Sequence, residues 1–133
     1  MAQEPSPILA TARDGVTVHG EAYFGGLDAA APLVLLFHQA GSSGRGEYAE
    51  IATYLNNAGM RAIAWDQRSG GSTHGEANRT VLGLAPSIAT DFCSAYLDLQ
   101  AALDYVVSRG LAEEVVAWGS SYSGSLVFRL ASE

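Results

Sequence analysis

The sequence predicts an α/β domain: a mostly parallel sheet with flanking helices and an N-terminal hairpin. Three observations predict it. The run "LVLLF" (33–37) is apolar without alternation, as expected of a strand buried on both faces, and "RAIAW" (61–65) and "EVVAW" (114–118) read as two further buried strands. Stretches with apolar residues at helical spacing separate these runs. An alternating segment folded around an Asp-Gly pair precedes them.

The hairpin covers residues 8–24. Ile8, Ala10 and Ala12 alternate with polar or small neighbours, Asp14-Gly15 supplies the turn, and Val16, Val18, Ala22 and Phe24 resume the period of two. Residues 24–32 form a loop and 33–37 the first buried strand. A Gly/Ser-rich loop, 38–46, then leads into a helix with Tyr48, Ile51, Ala52, Leu55 and Ala58 on one face and Gly59 as its stop. The strand at 61–65 opens into the loop 66–80. A second helix runs from about Thr90 to Arg109, with Phe92, Ala95, Tyr96, Leu99, Leu103 and Val106 as its stripe and Gly110 as its end. The strand at 114–118 follows, and "SGSLVFRLASE" starts a third helix. No repeat or linker divides the chain.

Composition narrows the function. At 133 residues and 13.9 kDa there is chain enough for one domain with a core. The formal charge is −7, and all 7 basic residues are Arg. An acidic chain without a basic run does not suit a nucleic-acid backbone, so nucleic acid is excluded as a partner. No apolar run is long enough for a membrane span. The start "MAQEPSPILA" lacks a basic segment and an apolar core, so it is no complete signal peptide, although "AQEPSP" suits a mature start after signal cleavage. The compartment stays open between cytoplasmic and secreted or periplasmic. Cys93 alone excludes an internal disulfide; it is expected to be a packed thiol.

In sheets of this kind, sites form in the loops at the carboxyl ends of strands, here 38–46, 66–80 and 119–123. The last holds Gly119-Ser120-Ser121-Tyr122-Ser123 between strand and helix. As plain structure, this is a tight turn whose serines cap the helix. As chemistry, it is a nucleophile elbow: a sharp turn that lifts one serine above the sheet, with small residues two before and two after it. Gly119 and Ser123 meet that spacing about Ser121, and Gly124 lets the helix pack close. Ser120 and Ser123 are rivals, but neither has a glycine two residues before it. The N–H of Tyr122, at the helix start, would then face an oxyanion. His38, at the end of its strand, reads as a structural histidine, and "WDQRSGGS" (65–72) by itself reads as a glycine turn.

Taken together and in order, these segments resemble the α/β-hydrolase family over about residues 8–131. "FHQAGSS" is similar to its His-Gly-type oxyanion loop, with Gln39 where Gly is common. "DQRSGGS" resembles its Asp-x-Arg-Gly-x-Gly-x-Ser turn, with Ser69 for the first Gly. "WGSSYSG" resembles its elbow, closest to the dienelactone-hydrolase-like and serine-aminopeptidase-like branches. The resemblance implies a serine hydrolase acting on a small-molecule acyl substrate: an ester, thioester, lactone or amide. It implies Ser121 as nucleophile and the backbone N–H groups of Ala40 and Tyr122 as oxyanion donors, with Gln39 as the fallback for Ala40. No cofactor and no metal are expected.

A triad of this family runs Ser, then Asp or Glu, then His. Residues 122–133 hold no His and no Asp, and Glu133 is their sole acid. His19 falls in the hairpin and His38 in the oxyanion loop; His74, in the loop 66–80, is the one substitute base to weigh, against its expected place in a mobile, solvated loop. The chain also stops inside a helix, after a strand left as a bare apolar edge. Residues 1–133 are therefore expected to be the N-terminal portion of one hydrolase domain, inactive in isolation. Two other classes compete. One is a non-catalytic binding module of the same fold. The other is a Rossmann-like nucleotide site at "GSSGRG" (41–46), whose glycines are spaced G-x-x-G-x-G rather than G-x-G-x-x-G. No residues have metal-ligand spacing, and Asp98 and Asp104 are expected on a solvated helix face.

Overall fold

A computed structural model describes residues 4–132. Strands β1 (Ser6–Thr11) and β2 (Thr17–Tyr23) form the hairpin. They are followed by β3 (Leu33–Phe37), α1 (Gly44–Asn57), β4 (Arg61–Trp65), α2 (Arg79–Leu82), α3 (Phe92–Ser108), β5 (Val115–Gly119) and α4 (Tyr122–Ala131). The sheet order is β1-β2-β4-β3-β5. β1, β2 and β4 pair antiparallel, whereas β4, β3 and β5 run parallel, with Phe37 level with both Trp65 and Gly119. The fold is thus the predicted α/β sheet with its hairpin.

The period of two along the parallel strands sorts two cores. Leu33, Leu35, Phe37, Ile63 and Trp65 pack with Tyr96, Leu99, Ala102 and Val106 of α3 and Leu130 of α4. Val34, Leu36, Ala62 and Ala64 face the other way, onto Tyr48, Ala52 and Leu55 of α1. Local chemistry sets the helix ends. Ser43 caps α1 by accepting from the Gly46 N–H at 3.0 Å, and Gly59 follows its C-cap at φ +86°. Asp91 caps α3 through the Ser94 N–H.

Five expectations need correction. β5 is the sheet edge, as expected, but it is not buried: Val116 and Trp118 are more than two-fifths exposed. Phe92 begins α3 instead of joining its buried stripe, and it is half-exposed. Ala58 is the exposed C-cap of α1. Cys93 is exposed, because the first turn of α3 lies outside the core. Asp98 is fully buried, whereas Asp104 is exposed as expected. In addition, the loop 66–80 runs into the short α2, capped by Asn78. Of the start "AQEPSP", residues 2 and 3 lie outside the described residues. Among the described residues, no helix is long and apolar enough to cross a membrane.

Candidate active site

The loops after β3, β4 and β5 meet at the carboxyl ends of these strands. At the end of β5 the chain reverses within one residue. Ser121 stands at φ +57°, ψ −126°, and is the one non-glycine residue with positive φ among the described residues. That conformation mirrors an ordinary extended one and suits glycine; a serine held there carries strain of about 1–3 kcal/mol. It therefore needs neighbours that leave no alternative. Gly119 is one of them, since a Cβ there would overlap the Ser123 carbonyl. Backbone bonds fix the rest: Ser120 N–H donates to the Phe37 carbonyl at 3.1 Å, and the N–H groups of Ser123 and Gly124 donate to the Ser120 and Ser121 carbonyls.

Ser121 makes no side-chain cap, and its residue is exposed. The Tyr122 N–H, first in α4, has no hydrogen-bond partner among the described residues. Ser123 is buried; its hydroxyl donates to the His38 carbonyl at 2.7 Å and accepts from Gln67 Nε2 at 2.8 Å. The turn at Ser121 is thereby bound directly to the loop after β3.

That loop is organised by His38. The ring is fully buried, and burial pushes its pKa down, so it is neutral. Its Nε2 accepts the Gln67 N–H at 2.7 Å, which assigns the proton to Nδ1, 2.7 Å from the Gln39 carbonyl. The 39–40 peptide is trans, so the Ala40 N–H points away from that carbonyl and its histidine. Ala40 is exposed, and its N–H has no hydrogen-bond partner among the described residues. Gln39 differs: its N–H is taken by Glu47 Oε1 at 2.8 Å. Both ring nitrogens of His38 and the Gln39 N–H are thus engaged within the protein.

The loop after β4 straps the first loop down. Gly41 N–H donates to the Ser69 carbonyl, Gly71 N–H to the Ser42 carbonyl, and the Thr73 hydroxyl to the Gly41 carbonyl at 2.7 Å. A Cβ at Gly70 would overlap both Asn78 Nδ2 and the Ser42 carbonyl, so the crossing requires glycine. His74 Nδ1 lies 2.6 Å from the Ser42 hydroxyl, which ties it to this strap. His19 is on β2, with its N–H bound to the Thr80 hydroxyl. None of these histidines is hydrogen-bonded to Ser121. The start of α1, where "GSSGRG" would hold a phosphate, is already engaged: Gly44 N–H donates to Asp66 Oδ1 at 2.8 Å. An anionic side chain fills the place a nucleotide phosphate would take. Among the described residues, no group of His, Cys, Asp and Glu has the geometry to hold a metal ion.

Sequence reasoning missed Gln67. Its side chain is buried between the two turns, and Nε2 donates to Tyr122 Oη at 2.7 Å as well as to Ser123. Tyr122 Oη is also hydrogen-bonded to Ser69 Oγ, and its ring stacks on Phe92 with centroids 4.1 Å apart and planes at 15°. A Gln inside the Asp-x-Arg turn was the available signal.

A hairpin leading into a mixed sheet, with parallel β4, β3 and β5 between helices, is the α/β-hydrolase arrangement; the chain has that fold in part. No protein-family model matches the sequence, and no curated protein matches it. Solved structures do match. The chain is similar to an esterase of Pyrococcus furiosus with TM-score 0.72 and 20% identity, over 98% of this chain and 47% of that one. It is similar to an α/β hydrolase from Novosphingobium aromaticivorans with TM-score 0.70 and 26% identity, over 99% of this chain and 40% of the other. Brefeldin A esterase, a bacterial homologue of human hormone-sensitive lipase, matches with TM-score 0.69 and 21% identity, over 92% and 33% of the two chains. The chain spans less than half the length of each of these three structures.

Proposed function

We propose that this chain is the nucleophile-bearing portion of a serine hydrolase, which acts on an ester, thioester, lactone or amide through an acyl-enzyme on Ser121. The observation that carries the reading is the backbone of Ser121, held at positive φ where β5 turns into α4. Strain of this kind at a non-glycine residue persists where a function uses it. In the reaction, Ser121 Oγ attacks the acyl carbon, its proton passes to a base, and the tetrahedral oxyanion is held by the N–H groups of Tyr122 and Ala40. Both donors lack other partners among the described residues, which supports their roles, and the engagement of Gln39 by Glu47 favours Ala40 over Gln39. Collapse then expels the alcohol, thiol or amine, and water releases the acid.

In this reading the chain does not supply the base. His38 is buried with both ring nitrogens occupied, and His74 is bound to Ser42. The acid and His of the triad come, in this reading, from sequence outside these 133 residues. The 133-residue chain is expected to hydrolyse p-nitrophenyl acetate no faster than its Ser121→Ala variant. Robust turnover that Ser121→Ala abolishes would make His74 the base. Reading the gene onward from the codon for Glu133 tests the larger proposal. A continued frame with an Asp and then a His at later strand ends should encode an esterase that Ser121→Ala inactivates at least about a thousandfold. A continued frame whose product retains activity in Ser121→Ala overturns it.

A further inference from the structure

Three positions depart from the hydrolase motifs, and two of the departures meet in space. Ser69 stands where the Asp-x-Arg turn has Gly, and Ser123 where the elbow has Gly. Both are joined through Gln67 and Tyr122. We propose that Gln67 is a positioning residue for the turn at Ser121, and that Ser69, Tyr122 and Ser123 form with it one polar lock. Its functional meaning rests on the reading of Ser121 as nucleophile; its structural content does not.

The geometry gives each group a part. Gln67 Nε2 has two protons, and two acceptors stand at hydrogen-bond distance: Tyr122 Oη at 2.7 Å and Ser123 Oγ at 2.8 Å. The amide orientation follows from Ser123, whose own proton goes to the His38 carbonyl at 2.7 Å. Ser123 must therefore accept from Gln67, which only the NH2 end can satisfy. Tyr122 Oη in turn shares a hydrogen bond with Ser69 Oγ, and its ring is pinned by Phe92. The residues on either side of Ser121 are thereby fixed: Ser120 by the Phe37 carbonyl, Tyr122 and Ser123 by Gln67. Ser121 contributes no cap bond of its own, so its backbone angle depends on these flanks.

Gln67 also carries a cost that packing alone does not explain. Its Oε1 is buried and has no hydrogen-bond partner among the described residues. An apolar residue of similar size would fill the site without that penalty, so the amide is retained for what its NH2 holds.

The test uses the 133-residue chain itself. Gln67→Leu, Ser69→Gly, Tyr122→Phe and the Ser69→Gly/Tyr122→Phe double variant are compared with Val106→Ala, which weakens the core under α3 without touching the lock. The readouts are the 13Cα and 13Cβ shifts of Ser121, which report its φ and ψ, and equilibrium unfolding. Gln67→Leu and Tyr122→Phe should move the Ser121 shifts away from the positive-φ pattern, and Val106→Ala should leave them in place. Each lock variant should raise the unfolded-to-folded ratio about three- to tenfold. The double variant should cost no more than its worse single member. Unmoved Ser121 shifts in Tyr122→Phe, or additive costs in the Ser69→Gly/Tyr122→Phe cycle, overturn the proposal. If Gln67→Leu does not fold, the cycle and the Tyr122→Phe shifts decide the outcome. The nucleophile reading fails separately, by retained esterase activity of the longer gene product in Ser121→Ala, with these shifts unaffected.

Discussion

Asp98 lies directly beneath Arg68. Its Oδ2 accepts the Arg68 backbone N–H at 2.7 Å and its Oδ1 accepts Nη2 at 2.9 Å, with both side chains at most 1% exposed. Nη1 of the same guanidinium reaches Asp14 at 2.6 Å. One arginine thus ties the turn after β4 to α3 and to the tip of the hairpin. Burial pushes the Asp98 carboxyl up, and its bonds to Arg68 oppose that shift. The tie matters to the candidate site because Gln67 and Ser69 flank Arg68 on the chain.

Removing Asp98 should therefore be costly. Asp98→Ala leaves a buried guanidinium with only Asp14, and the expected loss is about 3–5 kcal/mol. Asp104, six residues on, pairs with Arg13 at 3.5 Å across an exposed surface, with side chains 59% and 56% exposed. Asp104→Ala should change stability by no more than about 0.5 kcal/mol. Guanidinium unfolding of the two variants decides it, and equal costs would contradict the burial contrast.

These two aspartates also show what the sequence could and could not reveal. Both lie in a helix the apolar periodicity locates to within two residues at each end, because burial of one face repeats every turn. The strands 33–37 and 61–65 were legible for a similar reason, since two-sided burial favours a run that does not alternate, broken here only by Arg61 at the start of β4. Asp98 sits three residues after Ala95 and four before Ala102, on the buried face. Its partner is thirty residues away, and no local pattern announces an ion pair between distant segments. Gln67 escaped notice for the same reason, because its partners Tyr122 and Ser123 belong to another loop. Phe92 and Cys93 were misjudged because the helix begins before it reaches the core. The turn at Ser121 was legible in position through Gly119, but its backbone angle is a tertiary property.

Acidification should weaken the fold through His38. Burial holds the folded-state pKa of this ring below the unfolded value of about 6.5. The unfolded chain then binds the proton that the folded chain refuses. The stability contribution is complete above about pH 6.5 and is lost as pH falls toward the folded pKa, with a slope of up to about 1.4 kcal/mol per pH unit. Protonation would also set Nε2–H against the Gln67 N–H. Burial lowers His19 in the same direction, while the rise of Asp98 acts with the opposite sign. Comparison with His38→Gln isolates the one ring. Unfolding midpoints from pH 8 to 5 should fall more steeply in the parent chain than in His38→Gln, and parallel profiles would refute the assignment.

The strain at Ser121 has a thermodynamic signature of its own. Ser121→Gly places at φ +57°, ψ −126° a residue that adopts this conformation freely. Relief of about 1–3 kcal/mol is partly offset by the greater freedom of glycine in the unfolded chain, about 0.4–1 kcal/mol. A net gain of about 1 kcal/mol is expected, whereas Ser121→Ala keeps both the Cβ and the strain and should be close to neutral. Gly119→Ala acts in the opposite sense. Its methyl group would run into the Ser123 carbonyl and the Gly124 nitrogen, backbone atoms that cannot give way without moving α4. That overpacking should cost about 1–3 kcal/mol. Differential scanning calorimetry of the three variants provides the check. A Ser121→Gly chain less stable than Ser121→Ala would mean that residue 121 is not held under strain at this turn.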